Sequence, residues 1–336
     1  MSAFSQGHQG RIDVKISSVL AAVTALAIAA PAAAISPTKF YIFGDSFTDA
    51  GNIAAATGNT IPDPTTGAWR GRFAEGPNWA DWLSYAQFGK ATRPSLTGGN
   101  NFSFGGARAA QDDIINPGPP VVAIPGLNTQ LGFYSAQVGF VDPTALYIIN
   151  FGNNDVNALQ GTDADREGLS VTDYQNAYVN NMVGAVAGLS ALGAKNILLL
   201  GVPNPGEIEG LTLQAKLNTA LNALPLPPTT NLYRYSYFSF FTRLATDPTQ
   251  FDLPAGLDFT TPCLVGEAPT GPGVDCTGYL SFDGIHVTSK VQRALANDIA
   301  SFVGLNAVPE PSSWAMMIAG FGLVGASLRQ RRRALA

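Results

Sequence analysis

Three short, continuously apolar runs in the middle of the chain restrict its fold most strongly. They cover residues 40–43, 145–149 and 196–200, and each has the length of a strand rather than a helix. Longer stretches of helical character lie between and after them, at residues 173–192, 211–224 and 287–302. Strands that helices bury on both faces have this appearance. The pattern predicts one three-layer α/β/α domain with a central parallel sheet of about five strands.

Composition removes several classes of function. The 336 residues include only two histidines and two cysteines, which excludes a disulfide-dense scaffold and leaves few ligands for a structural zinc site. We therefore expect neither a metal nor a cofactor. The formal net charge of −5 argues against a nucleic-acid partner, because such binding needs a basic surface.

The N-terminal 34 residues have the organisation of a secretory signal peptide. Arg11 and Lys15 precede an uncharged run at residues 16–30, and a small-residue site, Ala32–Ala34, follows. A buried first helix is the alternative. Cleavage after Ala34 removes His8, so the exported chain keeps a single histidine, His286.

The C-terminal segment, residues 308–336, has a different pattern. A Pro-Glu-Pro sequence and Trp314 precede an uncharged run at residues 315–328 and four arginines. The run is shorter than the roughly 20 residues of a spanning helix. These features resemble the PEP-CTERM sorting signals of Gram-negative envelope proteins, with a plain tail anchor as the alternative. The resemblance implies export, transient anchoring in the inner membrane and processing by an exosortase-type enzyme, leaving residues 35–307 as the working domain.

A candidate nucleophile follows the first apolar run. Ser46, in Gly44-Asp45-Ser46, would lie at the carboxyl edge of the sheet, where open α/β folds bind ligands. A following helix would direct its free N–H groups at the serine, although a helix-capping serine or aspartate after a strand fits the same pattern.

A serine nucleophile needs a base, and His286 is the one imidazole left after export. Asp283, three residues earlier, is placed to orient that ring as the acid of a Ser-His-Asp triad does. A lone structural histidine after an Asp-Gly turn is the alternative. The chain contains no G-x-S-x-G sequence, so the nucleophile elbow of α/β-hydrolases is not indicated.

Two further loops contain candidate oxyanion donors. One ends in Gly105-Gly106, and the other, Gly152-Asn153-Asn154-Asp155, follows the second apolar run. Acyl transfer needs backbone N–H groups and an amide side chain aimed at the developing oxyanion. Ordinary turn chemistry also explains both loops.

Together these segments resemble the four sequence blocks of GDSL-type SGNH hydrolases, in the same order, from about residue 39 to 303. The spacing from Asp45 to Asn52 resembles the plant-lipase and haemolysin-like branch. The resemblance implies the flavodoxin-like SGNH fold, with Ser46 as nucleophile, His286 as base and Asp283 as its partner. It also implies an oxyanion hole and three supporting side chains. The hole is formed by the Ser46 and Gly106 N–H groups and the Asn154 side chain, and the supporting residues are Asp45, Asp49 and Asn52.

Cys263 and Cys276 lie in a Gly/Pro-rich loop before the Asp-His block. In an oxidising compartment we expect them to form a disulfide that steadies the loop carrying Asp283 and His286, with two buried thiols as the alternative.

Two other clusters allow two interpretations each. The aromatic run at residues 233–241 is an acyl-binding wall or a helix packed on the core. Helical spacing of Leu232, Tyr235, Phe238 and Phe241 favours the helix. Acidic side chains at Asp163, Asp165 and Glu167 are expected to be solvated surface, with a cation site as the alternative.

The sequence therefore predicts a secreted serine esterase or lipase that cleaves carboxylic esters of small molecules, lipids or sugars through an acyl-enzyme. An O-deacetylase or acyltransferase acting on envelope polysaccharide is the competing enzyme, and a catalytically silent surface-binding protein is a third reading. We expect activity to fall on acidification, because a protonated imidazole cannot accept the serine proton.

Overall fold

The computed structural model describes residues 35–115, 121–203, 207–266 and 271–305. The predicted signal peptide (1–34) and sorting segment (308–336), with its uncharged run, lie outside the described residues. In chain order the elements are β1 (Phe40–Gly44), α1 (Asn52–Ala56), α2 (Trp79–Phe88), β2 (Asp113–Ile115), β3 (Val122–Ile124), α3 (Leu127–Val138), β4 (Leu146–Asn150), α4 (Asn153–Gln160), α5 (Val171–Ala191), β5 (Asn196–Leu200), α6 (Ile208–Ala223), β6 (Asn231–Tyr235), α7 (Tyr237–Thr246), α8 (Cys263–Gly266) and α9 (Ser289–Val303).

The central sheet is parallel and has the strand order β1-β4-β5-β6. Phe40 pairs with Leu146, and Leu146 pairs in turn with Asn196, so the three predicted strands lie side by side in register. The first two strands are buried along their whole length, as their continuous apolar sequences require.

Alternate strand residues supply two cores, one on each face of the sheet. Tyr41, Tyr147 and Ile197 face a core shared with α3, α5 and α6. Ile42 and Ile148 face the opposite core, which is shared with α2, α7 and α9. This division follows from the two-residue period of a strand and produces the three layers predicted from the sequence.

The fifth strand expected from the sequence is reduced to a short ladder beside β1. The Ile42 N–H donates to the Asn100 carbonyl at 3.1 Å, Phe102 N–H donates to Ile42 O at 2.7 Å, and Phe104 N–H donates to Gly44 O at 3.1 Å. The ladder runs parallel to β1. It ends where the chain turns through the following glycine pair, so the described sheet has four full strands.

The helical interpretation of the aromatic run is wrong for its first half. Residues 231–235 form β6, which completes the sheet, and α7 begins only after Ser236. The Ser236 side chain accepts from the Ser239 N–H and caps α7. The helical spacing of the aromatic residues runs across two elements, β6 and α7. Periodicity alone does not separate a short strand from a helical turn in so short an apolar run. The strands β2 and β3 form a separate antiparallel pair.

No helix among the described residues has the length and apolar character needed to cross a membrane.

Candidate active site

The structure brings the three predicted catalytic side chains together at the carboxyl edge of the sheet. The Ser46 Oγ lies 2.7 Å from Nε2 of His286. The other ring nitrogen, Nδ1, lies 2.8 Å from Oδ2 of Asp283. Ser46 is 7% exposed and His286 is 6% exposed, so water competes little for these hydrogen bonds. This order of contacts is that of a nucleophile, its base and the acid that orients the base.

A tight turn contains both Asp283 and His286. One oxygen of Asp283, Oδ1, accepts from the N–H groups of Ile285 at 2.9 Å and His286 at 2.8 Å. Gly284 has a φ of 99°, a conformation that glycine adopts without strain. The Asp-Gly sequence therefore leaves Oδ2 of Asp283 free to face the imidazole.

Burial raises the pKa of Asp283, but the hydrogen bonds and charge of His286 and the N–H groups of the turn outweigh it. The pKa of Asp283 consequently lies below its ordinary value. The carboxylate stays ionised beside the ring at neutral pH and stabilises the imidazolium that forms when His286 takes a proton.

The helix that follows Ser46 is separated from it by a turn. Residues 46–48 form a turn, and α1 begins at Asn52. The Asp45 side chain organises this turn by accepting from the Phe47 N–H at 3.0 Å, while its carbonyl accepts from Asp49 N–H at 2.9 Å. Such local carboxylate bonds compete with helix formation and move the helix start downstream.

Asp45 is buried, and burial raises its pKa to about 8; the Phe47 N–H opposes this shift and the charge of Asp155 adds to it. Its Oδ2 has no hydrogen-bond partner among the described residues. An uncharged carboxyl group suits such a site, because an unpaired buried charge is costly.

The other two predicted supporting residues tie the Ser46 turn to the glycine loop. Asp49 accepts from the N–H groups at the start of α1 and, at 2.8 Å, from Gly105 N–H. Burial raises the pKa of Asp49 to about 6 against these hydrogen bonds. The Asn52 amide donates to the carbonyls of Asn101 and Ser103 at 2.8 and 2.9 Å. Both side chains thus fix the position of the segment that leads to Gly106.

The three donors predicted for the oxyanion hole have N–H groups without a partner among the described residues. Within the described residues, the backbone N–H groups of Ser46 and Gly106 donate no hydrogen bond to another residue. The Asn154 amide donates one of its two hydrogens to the Ala107 carbonyl at 3.0 Å, which holds it beside the glycine loop and leaves the second hydrogen available. Gly106 has a φ of 85°, and a Cβ there would lie 2.8 Å from Ile124 Cδ1. A glycine is required at this position.

Two phenyl rings pack on the imidazole, and sequence reasoning missed both. The ring of Phe47 lies 5.5 Å from that of His286, and the ring of Phe73 lies 4.9 Å from it. Phe73 belongs to the irregular segment between α1 and α2. Its neighbour Arg72 is buried and pairs through two 2.9 Å hydrogen bonds with Asp81 of α2.

Sequence reasoning also missed the side chains behind Asp45. Asn150, the last residue of β4, donates to Asp45 Oδ1 at 3.1 Å, and its own oxygen accepts from the Tyr237 hydroxyl at 2.7 Å. A polar residue that closes an apolar run was the available signal for Asn150. Tyr237 lies in the aromatic run noted in the sequence, but its hydrogen bond to Asn150 depends on where α7 packs and was not predicted.

The structure joins Cys263 and Cys276 in a disulfide, with Cα atoms 5.5 Å apart. Two backbone hydrogen bonds lie next to the disulfide. The Cys263 N–H donates to the Ser281 carbonyl at 2.9 Å, and the Leu264 N–H donates to the Phe282 carbonyl at 3.0 Å. These bonds connect the disulfide loop directly to the strand-like segment that precedes Asp283.

The acidic cluster has ordinary partners. Asp163 pairs with Arg166, and Asp165 accepts from Thr162. Among the described residues, no group of histidine, cysteine and carboxylate side chains is arranged to hold a metal ion.

Several known proteins are similar to this chain. The phosphatidylcholine-sterol acyltransferase of Aeromonas hydrophila is 24% identical over 321 residues, covering 79% of this chain and 90% of the relative. Two solved structures are each 15% identical and cover 82% of this chain and 98% of their own. They are LAE5, an α/β hydrolase from the metagenome of Lake Arreo, Spain (TM-score 0.43), and Axe2, an acetylxylan esterase from Geobacillus stearothermophilus (TM-score 0.45).

Two family models match the sequence. The PEP-CTERM protein-sorting motif matches residues 307–333. The model described as GDSL-like Lipase/Acylhydrolase matches residues 40–299, well over half of the chain. The chain belongs to the GDSL-like lipase/acylhydrolase family.

Proposed function

We propose that this ester hydrolase of the GDSL acylhydrolase family works through an acyl-enzyme on Ser46. The observation that carries the proposal is the continuous hydrogen-bonded chain from Ser46 through His286 to Asp283, at 2.7 and 2.8 Å. In this role Ser46 is the nucleophile, His286 is the general base and acid, and Asp283 fixes the ring orientation.

Acylation follows from these positions. The Ser46 oxygen bonds to the carbonyl carbon of the ester while its proton passes to Nε2 of His286, and the carbonyl π electrons move to the oxygen. When the tetrahedral intermediate collapses, the bond to the leaving alcohol oxygen breaks and that oxygen takes the proton from His286.

Deacylation repeats these steps with water. The water oxygen bonds to the acyl carbon and gives its proton to His286. The Ser46 oxygen then leaves and recovers a proton, releasing a carboxylic acid.

We assign the oxyanion hole to the N–H groups of Ser46 and Gly106 and the Asn154 amide. Two observations support this assignment. Neither backbone N–H donates a hydrogen bond to another described residue, and the Asn154 amide is held beside the glycine loop by its bond to the Ala107 carbonyl. Donors held in place before the reaction stabilise the developing charge without reorganisation.

Acyl transfer to an alcohol is the second candidate. The Aeromonas hydrophila relative is a phosphatidylcholine-sterol acyltransferase, and the same acyl-enzyme can be attacked by an alcohol oxygen in place of water. Adding a simple alcohol or an envelope polysaccharide during turnover separates the outcomes, because transfer yields a new ester and hydrolysis yields free acid.

The sorting motif implies export in a Gram-negative bacterium and processing by an exosortase-type enzyme. We propose that the uncharged run at residues 315–328 anchors the chain transiently in the inner membrane before this cleavage. An exported form that lacks residues 308–336, with an uncleaved form in the membrane fraction, is the expected result. A full-length mature product found only in the medium would contradict it.

The function is tested with p-nitrophenyl esters and an organophosphonate. We expect the wild type to release p-nitrophenol and to be labelled, and Ser46→Ala to lose both properties. Release from acetylated glycans alone would identify the deacetylase. Absence of both turnover and labelling in the wild type would leave a binding protein and contradict the proposal.

A further inference from the structure

A groove of about 390 Å³ opens beside the catalytic triad. Phe47 of the nucleophile turn forms one side, Phe241 of α7 forms another, and the loops that carry Phe259 and Ile285 form the rest. The volume lies within the range of about 300–1,000 Å³ that is usual for small-molecule sites.

The groove lies next to the residues that carry the reacting atoms, because its lining includes their chain neighbours Phe47, Gly284, Ile285 and Val287. Phe47 is the residue after Ser46, and its ring also contacts the imidazole of His286. Ile285 lies between Asp283 and His286 in the turn that presents the base. A substrate whose carbonyl lies at Ser46 therefore has this groove next to its scissile bond.

The chemistry of the lining favours an uncharged, apolar ligand. None of the described residues that line the groove is charged, and eight of the thirteen are apolar or proline. Ile285 is 59% exposed and Phe259 is 40% exposed, which leaves large apolar groups in water next to the active site. A bound apolar chain would cover them, and this burial is favourable.

The loop that carries Phe259 is held in place by hydrogen bonds and by a disulfide. Asp258 accepts from the N–H groups of Thr260 and Thr261 at 2.8 and 2.9 Å, and the Cys263–Cys276 disulfide closes the loop that follows. A preformed wall loses little conformational freedom when a ligand binds, so more of the burial energy appears as affinity.

We propose that this groove binds the apolar chain of the ester and that Phe241, Phe259 and Ile285 set its preferred length. The proposal rests on the proposed function and narrows its substrate class from esters in general to esters with a medium-length alkyl chain. Such a chain is the acyl group or the alcohol group of the ester, and the two arms of the experiment separate these.

The first arm uses p-nitrophenyl acetate, butyrate, hexanoate and octanoate, and the second uses acetate esters of alcohols of the same lengths. We expect kcat/KM to rise about fourfold per added methylene that the groove covers, in one arm only. The arm that shows the rise identifies the part of the ester that occupies the groove.

Phe259→Ser tests the residue assignment. We expect the octanoate-to-acetate ratio of kcat/KM to fall about tenfold, or the equivalent ratio if the alcohol arm shows the rise. Phe259→Leu keeps an apolar side chain and should restore most of the ratio. Phe140→Ser, at a residue that is 63% exposed and outside the groove, is the matched control and should leave all rates unchanged.

The experiment distinguishes a failure of the groove proposal from a failure of the proposed function. Turnover of the acetate esters with no rise along either series, or the same ratio in Phe259→Ser as in the wild type, would overturn the groove proposal and leave the proposed function intact. No turnover of any ester would overturn the proposed function and this inference with it.

Discussion

Asn154 is the amide side chain on which the oxyanion assignment depends most. Its amide donates to the Ala107 carbonyl and has one hydrogen left for the substrate oxygen. We expect Asn154→Ala to lower kcat about 10²–10³-fold with little change in KM, because the lost bond strengthens only in the transition state. Asn222→Ala, an exposed amide that binds Arg234, is the control in the same steady-state assay. A loss smaller than tenfold would remove Asn154 from the oxyanion hole.

Asp45 makes stability depend on pH. Its pKa is about 8 in the folded protein because of burial, against the ordinary value of 3.8. The folded state therefore holds this proton more tightly than the unfolded state does. The associated stability is complete below about pH 4 and is lost as the pH rises to about 8, on the order of several kcal/mol. Asp49 acts in the same direction up to about pH 6.

Asp45→Asn tests this effect, because asparagine keeps the acceptor oxygen and cannot ionise. We expect the melting temperature of the wild type to fall from pH 5 to pH 9 and that of Asp45→Asn to fall much less. Asp283 does not obscure the comparison, since its pKa is lowered and it is ionised across this range. Parallel melting curves for the two proteins would show that Asp45 is already ionised in the folded state.

The hydrogen bonds of Asp49 and Asn52 explain why these two predicted supporting residues have a fixed spacing in the sequence. Asp49 and Asn52 each bond to several backbone groups of neighbouring loops, so their spacing from Ser46 is set by the fold. The contact of Phe73 with His286 could not be predicted from the sequence. It reaches His286 from an irregular loop with no periodic pattern.

At the scale of elements, the strands were predicted better than their ends. The run at residues 196–200 is observed as β5 with those limits, and its four apolar residues, 197–200, are buried as expected for an inner strand of a parallel sheet. The Ser46 turn and the division of the aromatic run into β6 and α7 were not predicted. In both places polar side chains bond to the first N–H groups of the helix, Asp49 at the start of α1 and Ser236 at the start of α7.

The disulfide loop is the element whose contribution is simplest to measure. Cys263 and Cys276 are 13 positions apart, and closing a loop of this length stabilises the protein by about 2–4 kcal/mol on the chain-entropy account. Reduction of the wild type should lower the melting temperature and the esterase rate together, because the loop bonds to the segment before Asp283. A double Cys263→Ser, Cys276→Ser variant should show both losses without reductant and no further response to it. Unchanged melting and activity after reduction would contradict a stabilising role.

The whole molecule combines an acidic working domain with basic terminal segments. Residues 35–308 contain 13 basic and 22 acidic side chains, so this part has a net charge of −9, compared with −5 for the whole chain. Most of the compensating positive charge belongs to the predicted signal peptide and the sorting segment. Cleavage at the predicted site after Ala34 would leave an acidic domain with one histidine, His286, which lies against Ser46 in the structure.

The three-layer architecture and the convergence of four sequence blocks were predictable because parallel strands share one carboxyl edge. The groove was not predictable, since Phe241, Phe259 and Ile285 come from separate loops and elements and no local pattern links them. Long-range packing decides such surfaces, and a single sequence shows little of it.

The most direct test of the account is to trap the acyl-enzyme. Rapid acid quenching during turnover of a p-nitrophenyl ester, followed by intact and peptide mass spectrometry, should show one added acyl group on Ser46 and none in Ser46→Ala. A Ser46→Ala protein that still turns over the ester, or an acyl group on another residue, would contradict the assignment of Ser46 as the nucleophile.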